Sequence, residues 1–170
     1  MEIWDLYTEN RELTGRTHVR GDEIPDGCYH LVVHVWIRNE WGEYLISQRA
    51  ADRPTFPLMW ECTGGSALAG DDSLTAAIRE VREETGLVLQ PQNGQLLMSL
   101  KREDNFDDIW LFRQTFNLAD VKLLEGETCG AMLATMDEIR QMKQQGILVP
   151  YAFLEEMFHA IQNAGGDKLC

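Results

Sequence analysis

Long apolar runs are missing from this sequence: nothing approaches the roughly 18 residues of a membrane-spanning helix, so none is expected. The opening MEIWDLYTEN has neither a basic start nor an apolar stretch, so no secretory signal is expected. Positive charge is scarce. There are 15 Lys and Arg against 28 Asp and Glu, a formal net charge of −13. That balance excludes broad binding to a nucleic acid duplex, which needs a basic surface to neutralise phosphates. Any phosphate bound here has to be met by a metal ion or by local arginines. Cysteines are few and scattered. Cys28, Cys62, Cys129 and Cys170 form no C-x-x-C pair, which argues against a zinc site or a disulfide frame. They read as reduced thiols of a cytoplasmic protein. Repeats and low-complexity segments are also absent. The 170 residues suit a single domain with a real core. Residues 1–28 read as an N-terminal strand or hairpin extension and 164–170 as a loose tail. A monomer and a homodimer are both left open.

What the chain does have is concentrated in Gly65–Leu87, GSALAGDDSLTAAIREVREETGL. Glu80, Glu83 and Glu84 stand at i, i+3 and i+4, so a helix projects them from one side. Leu74, Ala77, Ile78, Val81 and Thr85 fall on another side and supply a face to bury. Asp71, Asp72 or Ser73 suits the start, and Gly86 suits a left-handed C-cap. Clustered carboxylates repel one another unless a cation intervenes. One reading is therefore a site for Mg²⁺ or Mn²⁺ that shares a substrate phosphate. The bland reading is a solvated acidic helix face with Arg79–Glu83 pairing.

The remaining chain reads as strands before and after this helix, then two helices. Glu2–Thr8 and Leu13–Val19 form a hairpin. In Tyr29–Arg38, an apolar set, Leu31, Val33, Val35 and Ile37, alternates with His30, Val32, His34 and Trp36. His30 and His34 read either as substrate contacts or as satisfied sheet residues. Glu43–Arg49 returns as a strand. Arg49 and Arg53 follow, either as phosphate-binding forks or as surface residues. Met59–Thr63 reads as a short strand feeding a turn at Gly64 and Gly65, where paired glycines allow close approach to a ligand. Glu61 just before them is a candidate outer contact. Leu87–Leu89 is a possible short strand, and 95–102 with 106–117 an antiparallel pair. Asp104, Asp107 and Asp108, near its turn, read as solvated. A last strand spans Glu127–Ala134. Thr135-x-x-Glu138 is a capping box for a helix ending near Gly146, and Pro150 starts a final helix through Ile161. This order suits an α/β fold, a mixed sheet with helices on both sides.

Gly65, Arg79, Glu80, Val81, Glu83, Glu84, Gly86 and Leu87 match the signature G-x5-E-x7-R-E-U-x-E-E-x-G-U, with Asp71 at the first Glu position. The stretch thus resembles the Nudix box. The resemblance implies an α/β/α sandwich whose loop–helix–loop holds Mg²⁺ or Mn²⁺, and hydrolysis of a diphosphate joined to another group. It implies Glu80 and Glu84 as metal ligands, Glu83 as ligand or general base, and Arg79 as the residue that orients Glu83. Glu125 and Glu127 are candidate bases outside the box. Arg49, Arg53, Glu61, Gly64 and Gly65 are candidate contacts for a small diphosphate substrate. The opening and QRAADRPTFPLMW are also similar to isopentenyl-diphosphate isomerases. An isomerase would need a thiol, and Cys62 lies near the box without the His-Pro of that family's C-x-H-P. A Nudix-like sensor that binds phosphates without turnover is a further alternative.

Overall fold

A computed structural model of the chain describes residues 1–164. The tail expectation beyond Ala164 lies outside those residues. The first two strands, β1 (Ile3–Tyr7) and β2 (Leu13–Val19), pair antiparallel as a separate hairpin. The main sheet is built on β3 (His30–Arg38), with β4 (Tyr44–Arg49), β5 (Trp60–Glu61), β6 (Thr63–Ser66), β7 (Gly94–Lys101), β8 (Asn105–Arg113) and β9 (Thr128–Ala134). β3 runs parallel to β8 along its whole length, while the other pairings are antiparallel. The sheet is therefore mixed.

The period-two pattern of β3 explains how the layers form. Leu31, Val33, Val35 and Ile37 share a core with Ala76, Ala77 and Val81 of helix α1 (Ser73–Thr85). Trp36 enters a second core on the other side of the sheet. There it meets residues of α2 (Met136–Gln144) and α3 (Leu154–Asn163). Helices on both sides of one sheet make the expected α/β/α sandwich. The capping box of α2 is present, Thr135 and Glu138 satisfying each other's backbone N–H groups. Among the described residues no helix is long and apolar enough to cross a membrane.

Several expectations need correction. Met59–Thr63 is not one strand running into a turn. It breaks at Cys62 into β5, on β4, and β6, on β3, and both glycines lie inside β6. A side chain at Gly64 would bring its Cβ within 2.4 Å of the Val33 carbonyl oxygen, so glycine serves close strand contact there. Leu87–Leu89 forms no strand. α3 begins at Leu154 rather than at Pro150, because Tyr151 and Phe153 are turned into the core beneath Trp36 and His34. Asp107 and Asp108 are buried, and only Asp104 is solvated. Each buried acid has at least one partner far away in sequence, His34 for Asp107 and Arg11 for Asp108. Arg102, Asn105 and His34 approach Asp107, and Arg11, Ser73 and Ser99 donate to Asp108.

Candidate active site

Helix α1 carries the acidic face and its own chemistry orients it. Asp72 caps the start, accepting from the Thr75 N–H at 2.7 Å. Gly86 adopts φ 72° and returns its N–H to the Arg82 carbonyl. With Ala76, Ala77, Val81 and Thr85 buried in the core, Glu80 and Glu84 lie against Gly65 and Gly64 of β6, and Glu83 is the more open of the three. Gly65 lies directly under Glu80: a Cβ there would stand 2.5 Å from the Glu80 carboxyl carbon. The absence of a side chain on β6 is what lets that carboxylate settle against the strand.

Arg79 is the hub of the helix. Its guanidinium donates to Asp71 at 3.0 Å, Glu80 at 2.9 Å, Glu83 at 3.1 Å and the Ser66 carbonyl at 3.0 Å. Asp71 thus clamps Arg79. The expected Arg79–Glu83 contact is one bond of four.

A cleft of about 350 Å³ collects Arg53, Gly64, Gly65, Arg79, Glu80, Glu83, Glu84 and Glu127 on one surface, with Glu2, Arg20, Ser66, Leu68 and Leu124. A more open hollow of about 570 Å³ follows the outer side of α1 but has only Glu83 for a carboxylate. Arg49 and Glu61 are not among the cleft's lining residues. Arg49 is held by both Glu61 oxygens, at 2.9 and 2.7 Å, and by Thr55. Arg53 reaches Glu127 at 3.6 Å. Glu125 is exposed and outside the lining, so Glu127 is the only one of that pair in the cleft.

The electrostatics are those of crowded acids. Burial pushes the Glu84 carboxyl well above the usual range, and the charges of Glu80, Glu61 and Glu127 push it further. The Gly64 N–H, bonded to it, offsets only part of this. Glu80 is raised by burial against the pull of Arg79, and Glu61 by burial against Arg49. Among the described residues no three His, Cys, Asp or Glu stand close enough together to form a finished metal cage. Arg79 lies between Glu80 and Glu83.

The histidines stay with the sheet. His30 stacks on Trp4 at 4.2 Å between ring centres, and His34 approaches Asp107 at 3.5 Å. Cys62 is buried, bonded to the Tyr151 hydroxyl at 3.4 Å, and its thiol is pushed up by that burial. It belongs to the core beneath α3, not to the cleft. Sequence reasoning missed Glu2 and Arg20. The hairpin that carries them was legible, but nothing in its pattern marks a cleft.

Residues 29–145 match the NUDIX domain model. The chain is 41% identical over 165 residues to an uncharacterized Nudix hydrolase of Listeria monocytogenes, covering 96% of this chain and 97% of that protein. It is 34% identical over 137 residues to Nudix hydrolase 3 of Arabidopsis thaliana, covering 79% of this chain but 16% of that longer protein. The crystal structure of DR0079 from Deinococcus radiodurans superposes with a TM-score of 0.74 at 21% identity, over 94% of this chain and 99% of that one. The MutT protein of Methanosarcina mazei superposes at 0.63 and 24% identity, over 85% and 99%. Nudix enzymes cleave pyrophosphate linkages in small molecules and generally use divalent metals. The box helix, the mixed sheet that seats it and the match over most of its length place this chain in the Nudix hydrolase family.

Proposed function

We propose that the chain hydrolyses a diphosphate linkage in a nucleoside diphosphate-linked or related small molecule, with Mg²⁺ or Mn²⁺. The observation that supports this most is the crowding of Glu80 and Glu84 in a cleft also charged by Glu127, with Glu61 behind it. Hard oxygen donors under mutual repulsion suit a hard divalent cation. Glu80 and Glu84 would hold it, and when bound it would neutralise diphosphate oxygens and favour attack at phosphorus.

The chain's own residues do the rest. Arg79, clamped by Asp71 and the Ser66 carbonyl, holds Glu80 and Glu83 in place. Glu83 has the more open carboxylate, with 54% of its side chain exposed, and takes the proton of the attacking water in this reading. Glu127 is the second candidate for that role. Arg53 meets the outer phosphate, exchanging its long contact with Glu127 for a charge-assisted bond. Gly64 and Gly65 add no side chain of their own to the cleft wall. Arg49 acts through Glu61, which it fixes. Reduced, widely spaced cysteines suit a cytoplasmic setting.

The test is a hydrolysis screen with Mg²⁺ or Mn²⁺. It includes nucleoside diphosphate sugars, dinucleoside polyphosphates, NADH, nucleoside triphosphates and isopentenyl diphosphate. Cleavage is expected to vanish with chelator, return with metal and survive Cys62→Ser. Full turnover in metal-free protein would remove the cation from the reading. Dimethylallyl diphosphate formation that disappears in Cys62→Ser would replace the hydrolase by an isomerase.

A further inference from the structure

The domain match starts at residue 29, yet Glu2 and Arg20, both before it, line the same cleft as the box carboxylates. The hairpin that carries them is fastened to the loop before α1. The Ala69 N–H donates to the Ile3 carbonyl at 2.8 Å, and the Gly70 N–H to the Asp5 carboxylate at 2.7 Å. The Arg20 N–H donates to the Glu2 carbonyl at 3.0 Å, so the backbone beneath Arg20 is set in place. Glu2 is near enough for its charge to reach the Glu80 carboxyl.

The three arginines of the cleft differ in what they have to spare. Arg79 already serves four oxygens, and Arg53 faces Glu127. Arg20 is 56% exposed, and among the described residues its guanidinium has Glu2 alone, both contacts made by Nη1 at 2.9 Å. Nε and Nη2 remain to form a fork. The partner is itself an exposed carboxylate, and an exposed pair of this kind is weak and easily exchanged. A phosphate takes an arginine fork more strongly. Acids outnumber arginines in the cleft: Glu2, Glu80, Glu83, Glu84 and Glu127 line it with Arg20, Arg53 and Arg79.

We propose that Arg20 is a substrate-recognition residue, releasing Glu2 to bind a phosphate oxygen of the diphosphate compound in the cleft. This rests on the diphosphatase reading above. The N-terminal hairpin thereby completes a site whose metal side comes from the box helix, and Glu2 acts as the resting partner that a substrate phosphate displaces.

Calorimetric titration with methylenediphosphonate and Mg²⁺, a diphosphate that cannot be hydrolysed, tests this directly. Wild type, Arg20→Ala, Arg20→Lys and Glu2→Gln are compared, with KM and kcat on the best substrate of the screen and a melting curve for each. Arg20→Ala is expected to weaken binding and raise KM roughly tenfold or more, the scale of one lost charged hydrogen bond, with kcat changed much less. Arg20→Lys recovers part of the loss. Glu2→Gln frees Arg20 and tightens binding. The signs separate recognition from stapling. If Arg20→Ala and Glu2→Gln weaken binding alike, the pair only holds the hairpin and the proposal falls. Unchanged binding in Arg20→Ala, with an active wild type, overturns this proposal alone. A wild type that neither binds the diphosphonate nor cleaves any diphosphate overturns the parent reading with it. Should Arg20→Ala melt early, Arg20→Gln replaces it, keeping a hydrogen bond to Glu2 while losing the charge.

Discussion

Gly64 and Gly65 are neighbours in one strand, yet they are glycine for different reasons. At Gly64 an added Cβ meets the Val33 carbonyl oxygen at 2.4 Å, a backbone atom within a paired strand. At Gly65 it meets the Glu80 carboxyl at 2.5 Å, the far end of a flexible side chain. Backbone cannot yield without breaking the ladder, whereas a carboxylate can swing aside. Gly64→Ala is therefore expected to lower the melting temperature, at a cost of about 1–3 kcal/mol typical of overpacking. Gly65→Ala is expected to melt close to wild type but to lose roughly tenfold or more in kcat, since displaced acidic residues lose their catalytic geometry. Melting curves beside steady-state kinetics check both. The reverse pattern, with Gly65→Ala unstable but active, would detach Glu80 from the chemistry.

At the scale of elements, the hairpin and the box helix meet at Asp108. Arg11, from the connection between β1 and β2, forms a bidentate pair with this fully buried carboxylate. Ser73, the first residue of α1, donates to the same group, as does Ser99 of β7. The Trp110 indole N–H donates to the Ser73 hydroxyl at 2.8 Å. One buried acid thus joins hairpin, helix start and two strands. Arg11→Ala leaves this buried group with two hydroxyl donors and no cation. Breaking a buried pair costs about 3–5 kcal/mol. Arg11 is about one-third exposed, so roughly 2–3 kcal/mol is expected here. Urea unfolding measures this, and a loss below about 0.5 kcal/mol would place Arg11 among ordinary surface residues. The same variant should also loosen the seat of α1 and so reduce turnover.

Across the whole molecule, the site's carboxylates set a pH dependence. Burial, with like charges for Glu84, raises Glu61, Glu80 and Glu84 above the usual glutamate range. A carboxyl raised in the folded state binds its proton more tightly there than in the unfolded chain. Stability is then greatest below the unfolded value and falls as pH rises from the ordinary glutamate range through the folded value. Metal-free protein should accordingly melt higher near pH 5 than at pH 7 to 8. Mg²⁺ should raise the melting temperature more at the higher pH, where it meets ionised carboxylates. The net charge of −13 pushes in the same direction, so Glu84→Gln supplies the control. It should flatten the slope, and a slope unchanged by that substitution would assign it to overall charge.

The box helix and strand β3 were legible in the sequence because their causes are local. A capping residue among Asp71, Asp72 and Ser73, a left-handed glycine at Gly86, three glutamates at helical spacing and an alternating apolar strand each act within one or two turns of chain. They were enough to give the mixed α/β fold, the acidic face and the family. Other features arise only from strand pairing and packing, which bring distant residues together. Asp107 and Asp108 read as solvated because they sit beside a turn rich in charge, yet the parallel pairing of β8 with β3 carries them inside. The cation that makes Asp108 tolerable lies 97 residues away in sequence. Arg49 read as either a phosphate-binding fork or a surface residue until the pairing of β4 with β5 set it against Glu61. Glu127 was separated from Glu125, and Arg20 was brought to the cleft, in the same way. The sequence by itself determined which residues can do the chemistry. The tertiary structure decided which of them face one another, because burial and charge pairing depend on distance in space.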